Sequence, residues 1–256
     1  MSKDIVVCQN IFMKYQSADG ETEAIKDISF TVKPKEFVSI IGPSGCGKST
    51  LLSIIAGLIK PTRGKVFING ADISENKVNI GYMPQKDSLL PFRTIRQNVF
   101  LGLEIQGKKT KENMEYGDML LKTYGLGDFM NKYPSQLSGG MRQRAALIRT
   151  LVIRPEILLL DEAFSALDYQ TRLAVSNDIH SIIKKEGKTA VMVTHDISEA
   201  VSMSERIIVL TNRPAEIKSI HEPQFDEEYD VPLTRRNHEA FREHFNKVWR
   251  DIDVHI

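Results

Sequence analysis

Residues 42–49 read Gly42-Pro43-Ser44-Gly45-Cys46-Gly47-Lys48-Ser49, with Thr50 next. The pattern is GxxxxGK[ST], in which glycines let backbone N–H groups curl around phosphate oxygens. At that spacing the Lys48 ammonium reaches the outer phosphates of a nucleotide and the Ser49 hydroxyl binds Mg2+. An apolar run from Leu51 follows, so the loop opens a helix, whose positive N-terminal end also favours anions. A second pattern, Ile157-Leu158-Leu159-Leu160-Asp161-Glu162, closes an apolar run with two acids. A buried parallel strand delivers such carboxylates to its carboxyl end, where open α/β sheets bind ligands. Asp161 then fits a Mg2+-supporting aspartate, and Glu162 is placed to polarise an attacking water as general base. Alone, the acid pair is equally the start of a solvated loop; the phosphate loop upstream decides for chemistry.

The third pattern is Leu137-Ser138-Gly139-Gly140-Met141-Arg142-Gln143-Arg144. Ser138 is a natural N-cap, and residues 141–148 begin a good helix. Ser138, Gly139 and Gly140 at a helix start form a second anion-binding motif. A serine and two glycines are common in ordinary turns. Here they open a basic helix that leads towards the acidic strand end.

These groups need elements to hold them. Before residue 70 the chain reads mostly as short strands: 28–32 alternates, Phe37–Ile41 follows a Pro34-Lys35 turn, and 65–68 ends at Asn69-Gly70. The apolar helix at 48–57 interrupts them. Residues 91–134 are rich in Leu, Lys, Glu and Met and read as a helical insert. Strand 157–160, helix 170–185, strand 190–194, helix 198–202 and strand Arg206–Leu210 then alternate, which argues for a parallel sheet. The expected fold is α/β: a phosphate-loop NTPase core with a mixed or parallel sheet, an N-terminal antiparallel β subdomain and an inserted α-helical subdomain at about 91–150. The boundaries are 1–211 for this domain and 212–256 for a C-terminal extension. In the extension, 222–230 is acidic, and 236–251 forms an amphipathic helix with Phe241, Phe245, Val248 and Ile252 on one face. Docking of that helix on its own domain is favoured over a regulatory or dimer-contacting role.

The 256 residues are 41% hydrophobic and carry a net charge of +1, which suits a sizeable core and demands no polyanionic partner. Two cysteines, Cys8 and Cys46, form no CxxC pair and favour neither a disulfide framework nor a zinc site. No signal peptide and no bilayer-length apolar run is legible, so any membrane-spanning part belongs to another protein.

Residues 137–141 resemble the LSGGQ signature of the ABC transporter ATPases, with Met141 where glutamine is usual. That substitution is familiar in importers of the nitrate, sulfonate and taurine group. Further motifs resemble the family in order. Tyr15 resembles the aromatic that stacks on adenine, Gln85 in Tyr82-Met83-Pro84-Gln85 the Q-loop glutamine, 165–168 the D-loop, and His195 the switch histidine. Singly, each of these residues has a bland reading as packing or solvated loop; the motifs together, in the family's order, do not.

The resemblance implies an ATPase subunit that pairs head to tail with a second copy. Each site would use Lys48, Ser49, Thr50, Gln85, Asp161, Glu162 and His195 from one chain, with Ser138 and Gly140 from its partner. Glu162, His195, Gln85 and Lys48 would serve catalysis. Ser49, Gln85 and Asp161 would surround Mg2+, His195 would contact the γ-phosphate, and Asp168 would sit at the dimer seam. Transmembrane permease subunits at the cytoplasmic face of the cell membrane, served by a substrate-binding protein, would be the partners, and no nucleic acid is expected. The segment 89–95 resembles the permease-docking stretch, with Phe92 and Arg93 favoured for contact, and Leu90 and Ile95 equally explained by packing. An exporter subunit, or a soluble ABC ATPase acting on nucleic acid or ribosomes, is the alternative. The short span between Lys48 and Leu137, without heptads, leaves no room for the coiled coils of repair ATPases.

Overall fold

The structure is a computed structural model that describes residues 4–17, 20–226 and 228–252. Glu227 within the acidic stretch 222–230, residues 18 and 19, the first three residues and the last four lie outside the described residues.

Two long strands come first, β1 (Val6–Ser17) and β2 (Gly20–Val32), paired antiparallel. The sequence shows only the end of β2, because the β1 pairing has irregular register that blurs strict alternation. Strand β3 (Phe37–Ile41) is buried at every position and leads into α1 (Lys48–Ile55). Then come β4 (Arg63–Ile68), the short β5 (Ala71–Asp72) and β6 (Ile80–Met83). The middle is helical, as expected, but broken into α2 (Ile95–Val99), α3 (Leu101–Ile105), α4 (Lys111–Thr123) and α5 (Gly139–Leu151). Thr94 and Thr110 cap α2 and α4 through their hydroxyls, which fixes where these helices start.

Strand β7 (Ile157–Asp161), α6 (Tyr169–Lys185), β8 (Thr189–Val193), α7 (Ile197–Met203) and β9 (Arg206–Leu210) follow the alternating pattern read from the sequence. The end of the chain holds β10 (Ile217–His221), α8 (Pro232–Arg235) and α9 (Ala240–Ile252). The single helix read over 236–251 is therefore shorter and separate from α8. The break is held by His238, whose Nδ1 accepts from the Ala240 N–H at 3.0 Å while its Nε2 meets Asp226 at 3.1 Å.

The strands form two sheets. One is antiparallel, ordered β2-β1-β4-β5; the other runs β10-β9-β3-β8-β7-β6. Strands β9, β3, β8, β7 and β6 are mutually parallel, and β10 adds an antiparallel edge. One face of this second sheet packs on the helices, with Phe37, Leu158, Leu160 and Phe164 in a core shared with α2 to α6. The other face packs on α1 and the antiparallel sheet through Val38, Ile40, Leu51 and Ile25. A third cluster joins Val248, fully buried, to Ile41, Val201 and Val209, so α9 docks on its own chain by its apolar face. Burying one such side chain is worth about 1.5–3 kcal/mol.

Candidate active site

All five parallel strands end at the same edge of the sheet, the edge at which α/β folds gather ligand-binding loops. The phosphate loop follows β3, Gln85 follows β6, Asp161 and Glu162 close β7, and His195 follows β8. They frame an open cleft of about 500 Å3 lined by Ser44, Gly45, Gly47, Lys48, Ser49, Thr50, Glu162, His195 and Arg213.

Gly47 opens α1 with φ 125°, and a Cβ there would sit 3.0 Å from the Ala24 carbonyl oxygen. Both the left-handed conformation and the close approach require glycine. With glycine as N-cap, no side chain occupies the first N–H groups of α1. Cys46 is buried beneath the loop. Lys48 is also buried, and its ammonium donates to the Gly42 and Pro43 carbonyls, each at 2.8 Å. The third N–H has only a long contact to Cys46 Sγ at 4.0 Å, a weak acceptor that a phosphate oxygen would displace.

Opposite the loop, Ser49 Oγ donates to Asp161 Oδ1 at 3.0 Å, and the Tyr82 hydroxyl donates to Oδ2 at 2.8 Å. Burial, and then the Asp161 carboxylate, push the Tyr82 phenol above its usual range, so it stays a donor. Glu162 sits at φ 45°, a conformation that is strained for a residue with a side chain and that clusters at functional sites. Its Oε2 lies 3.2 Å from Gln85 Nε2 and 3.3 Å from His195 Nδ1. Gln85 also donates to Ser165 Oγ at 3.1 Å. Tyr15 closes the site from the antiparallel sheet, its hydroxyl 3.2 Å from Thr50 Oγ1.

Ser49 and Asp161 offer hard oxygen donors side by side, as Mg2+ prefers. Among the described residues no group of three or more His, Cys, Asp or Glu could cage a metal alone. An Mg2+ ion held by Ser49 and Asp161 would take its remaining ligands from nucleotide phosphates and water.

Residues 25–165 match the family model described as ABC transporter. The chain belongs to the ABC transporter family. It is 46% identical over 239 residues, 93% of this chain and 92% of the relative, to the ABC transporter ATP-binding protein YtlC of Bacillus subtilis. It is 38% identical over 227 residues, 88% of this chain and 85% of the relative, to a taurine import ATP-binding protein, TauB, of a Jannaschia species. A dimeric post-hydrolysis structure of the ATP-binding cassette MJ0796 bound to ADP and Pi superposes with TM-score 0.72 at 34% identity, over 86% of this chain and all (100%) of that one. The fold is that of the ABC cassette, and the protein is an ATP-binding, ATP-hydrolysing ABC subunit.

The residues that resemble the signature, 137–141, lie elsewhere. Ser138 caps α5 by accepting from the Met141 N–H at 3.3 Å, and Ser138, Gly139 and Gly140 are not among the residues lining the cleft. A Cβ on Gly140 would meet Val175 at 2.7 Å, so the glycine lets α5 and α6 approach. Met141 packs against the helical core. The basic side of α5 grips the loop beyond Gln85: Arg142 meets Asp87 at 3.0 Å, and Arg149 donates to the Asp87 and Ser88 carbonyls, each at 2.7 Å. Asp168 caps α6 by accepting from the Thr171 N–H at 3.1 Å. Phe92 is 72% exposed, Arg93 pairs with Glu104 at 2.9 Å, and Ile95 is buried.

Two residues were passed over in the sequence: Arg213, which lines the cleft, and Tyr82, which holds Asp161 beside it. Tyr82 stands only as part of the stretch before Gln85, and Arg213 in the extension carries no motif. A hydroxyl on the strand beside the acidic one was a usable signal for Tyr82. Nothing local marked Arg213.

Proposed function

We propose that the chain is the ATPase of a small-solute importer, working as a head-to-tail homodimer beneath permease subunits at the cytoplasmic face of the cell membrane. The observation that carries the chemistry is the convergence of Lys48, Asp161, Glu162, Gln85 and His195 at one sheet edge. The import role is supported by likeness to the taurine import protein. No helix among the described residues is long and apolar enough to cross a membrane; in this reading a separate permease carries the solute.

In this reading the loop N–H groups and Lys48 hold the phosphates of ATP, and Tyr15 stacks on the adenine. Ser49 and Asp161, with Gln85, hold Mg2+, which supplies charge neutralisation on the phosphates when bound. Tyr82 keeps Asp161 oriented. Glu162 accepts a proton from the attacking water, held in place by Gln85 and His195, and His195 also reaches the γ-phosphate. Ser138 and Gly140 of a second copy cover the nucleotide. Positioning and charge stabilisation then carry catalysis. Phe92 and Arg93 are the proposed permease contacts.

The test is an affinity purification of the tagged chain from detergent-solubilised native membranes, with partners identified by mass spectrometry. A multi-span permease in near-equal amount is expected. Soluble nucleic-acid or ribosomal partners with no membrane subunit would overturn the transport reading and leave the ATPase chemistry intact.

A further inference from the structure

Four of the five parallel strands feed the cleft with residues already assigned, from β3, β6, β7 and β8. The fifth, β9, runs into residues 211–216, and that loop puts Arg213 in the cleft lining. Its guanidinium donates to the Gly45 carbonyl at 2.8 Å, within the phosphate loop itself.

The loop that carries Arg213 is built to stay in place. The Thr211 N–H donates to the Glu216 carbonyl at 2.9 Å, and Thr211 Oγ1 accepts from the Glu216 N–H at 2.9 Å. The Ala215 N–H donates to Ala24 at 3.0 Å and the Lys26 N–H donates back to Ala215 at 2.9 Å, stitching the loop to β2. Lys26 and Glu216 add an ion pair at 2.7 Å. The same Ala24 carbonyl crowds Gly47, so this stitch and the phosphate loop are packed together. Arg213 thus projects from a fixed backbone, while its own side chain is exposed.

Its chemistry is unfinished within the described residues. A guanidinium carries five N–H donors in a planar fork. Its hydrogen bond goes to one neutral carbonyl, and no carboxylate among the described residues pairs with it. A guanidinium without an acid, beside a loop whose N–H groups cradle phosphates, matches a bidentate phosphate contact.

We propose that Arg213 is a nucleotide-binding residue whose guanidinium contacts the polyphosphate of ATP while clasping Gly45, so that the site favours nucleotides with a β-phosphate. The proposal rests on the reading of the cleft as the ATP site. Losing a charge-assisted contact of this type weakens binding roughly tenfold.

The experiment is equilibrium binding of ATP, ADP and AMP to the full chain, to Arg213→Gln and Arg213→Lys, and to Lys48→Ala as reference. Arg213→Gln is expected to weaken ATP and ADP about tenfold and AMP not at all, with the melting temperature of the nucleotide-free protein unchanged. Arg213→Lys, which keeps the charge but not the planar fork, is expected to recover only part of the loss. Unchanged ATP and ADP affinity in Arg213→Gln would overturn the proposal. So would a loss shared equally by AMP, a loss accompanied by a lower melting temperature, or a lysine variant as weak as the glutamine one, since each describes a structural clasp. If Lys48→Ala also binds ATP normally, the ATP reading of the cleft falls, and the Arg213 assignment falls with it.

Discussion

Two helix N-termini in this protein carry glycine-rich, anion-binding sequences, and they are finished differently. At α1 the N-cap is Gly47, no side chain caps the helix, and the Lys48 ammonium is held against the Gly42 and Pro43 carbonyls. At α5 the Ser138 hydroxyl caps the helix itself, and the residue is exposed on the surface away from the cleft. The first end carries its own cation and hydroxyl in Lys48 and Ser49, and the carboxylates of Asp161 and Glu162 are brought to it by β7. At the second end the Arg142 guanidinium is already taken up by the Leu137 carbonyl at 2.9 Å and by Asp87 at 3.0 Å, and Ser138, Gly139 and Gly140 lie outside the cleft lining. In the proposed head-to-tail pair, the α5 end would meet a phosphate only when the cleft of the other copy is brought against it.

The sharpest separation of the two ends comes from Glu162→Gln. Removing the proton acceptor is expected to lower steady-state ATP hydrolysis by about 10^2–10^4-fold while ATP still binds, so that closed dimers accumulate in size-exclusion chromatography with ATP. Wild-type turnover would remove Glu162 from the role of base. Next comes Lys48→Ala, expected to weaken ATP binding by roughly 10–100-fold, as read by titration calorimetry. Unchanged affinity would make the α1 end no more a site than the α5 end.

The comparison breaks or holds on a mixing experiment. Lys48→Ala and Ser138→Glu chains should each be inactive alone. Together they should regain part of the hydrolysis rate, because one site of a mixed dimer then has an intact loop and an intact partner signature. No recovery on mixing would show that the α5 end does not work across a dimer. The smallest effect belongs to Ser138→Ala, expected to cost about 1 kcal/mol of stability through loss of the cap, with ATP binding to the isolated chain unchanged. A matching loss of ATP affinity in the monomer would place Ser138 at its own chain's cleft.

Most of the central chemistry was legible because it rests on local rules. A phosphate loop needs consecutive residues, and β7 announces itself by four apolar residues before two acids. Strands β6 and β10 were missed for the opposite reason. Each is short, and β10 alternates half-buried and exposed residues at a sheet edge, so neither has the apolar density of a central strand. The C-terminal helix was read from the right residues but drawn too long at its start, because the break at His238 depends on Asp226 and Phe225, which approach only in the folded chain.

The sequence by itself determined the nucleotide chemistry, the order of its motifs and the alternation that makes a parallel sheet. These follow from neighbours along the chain and from periodicity. Only the tertiary structure decided that Tyr82 holds Asp161, that Gln85 and His195 share one oxygen of Glu162, that α5 grips the loop beyond Gln85, and that Arg213 reaches the phosphate loop. The physical reason is the same in each case. These contacts join residues far apart in the chain, and the distance between them is set by strand order and packing, which no local pattern records.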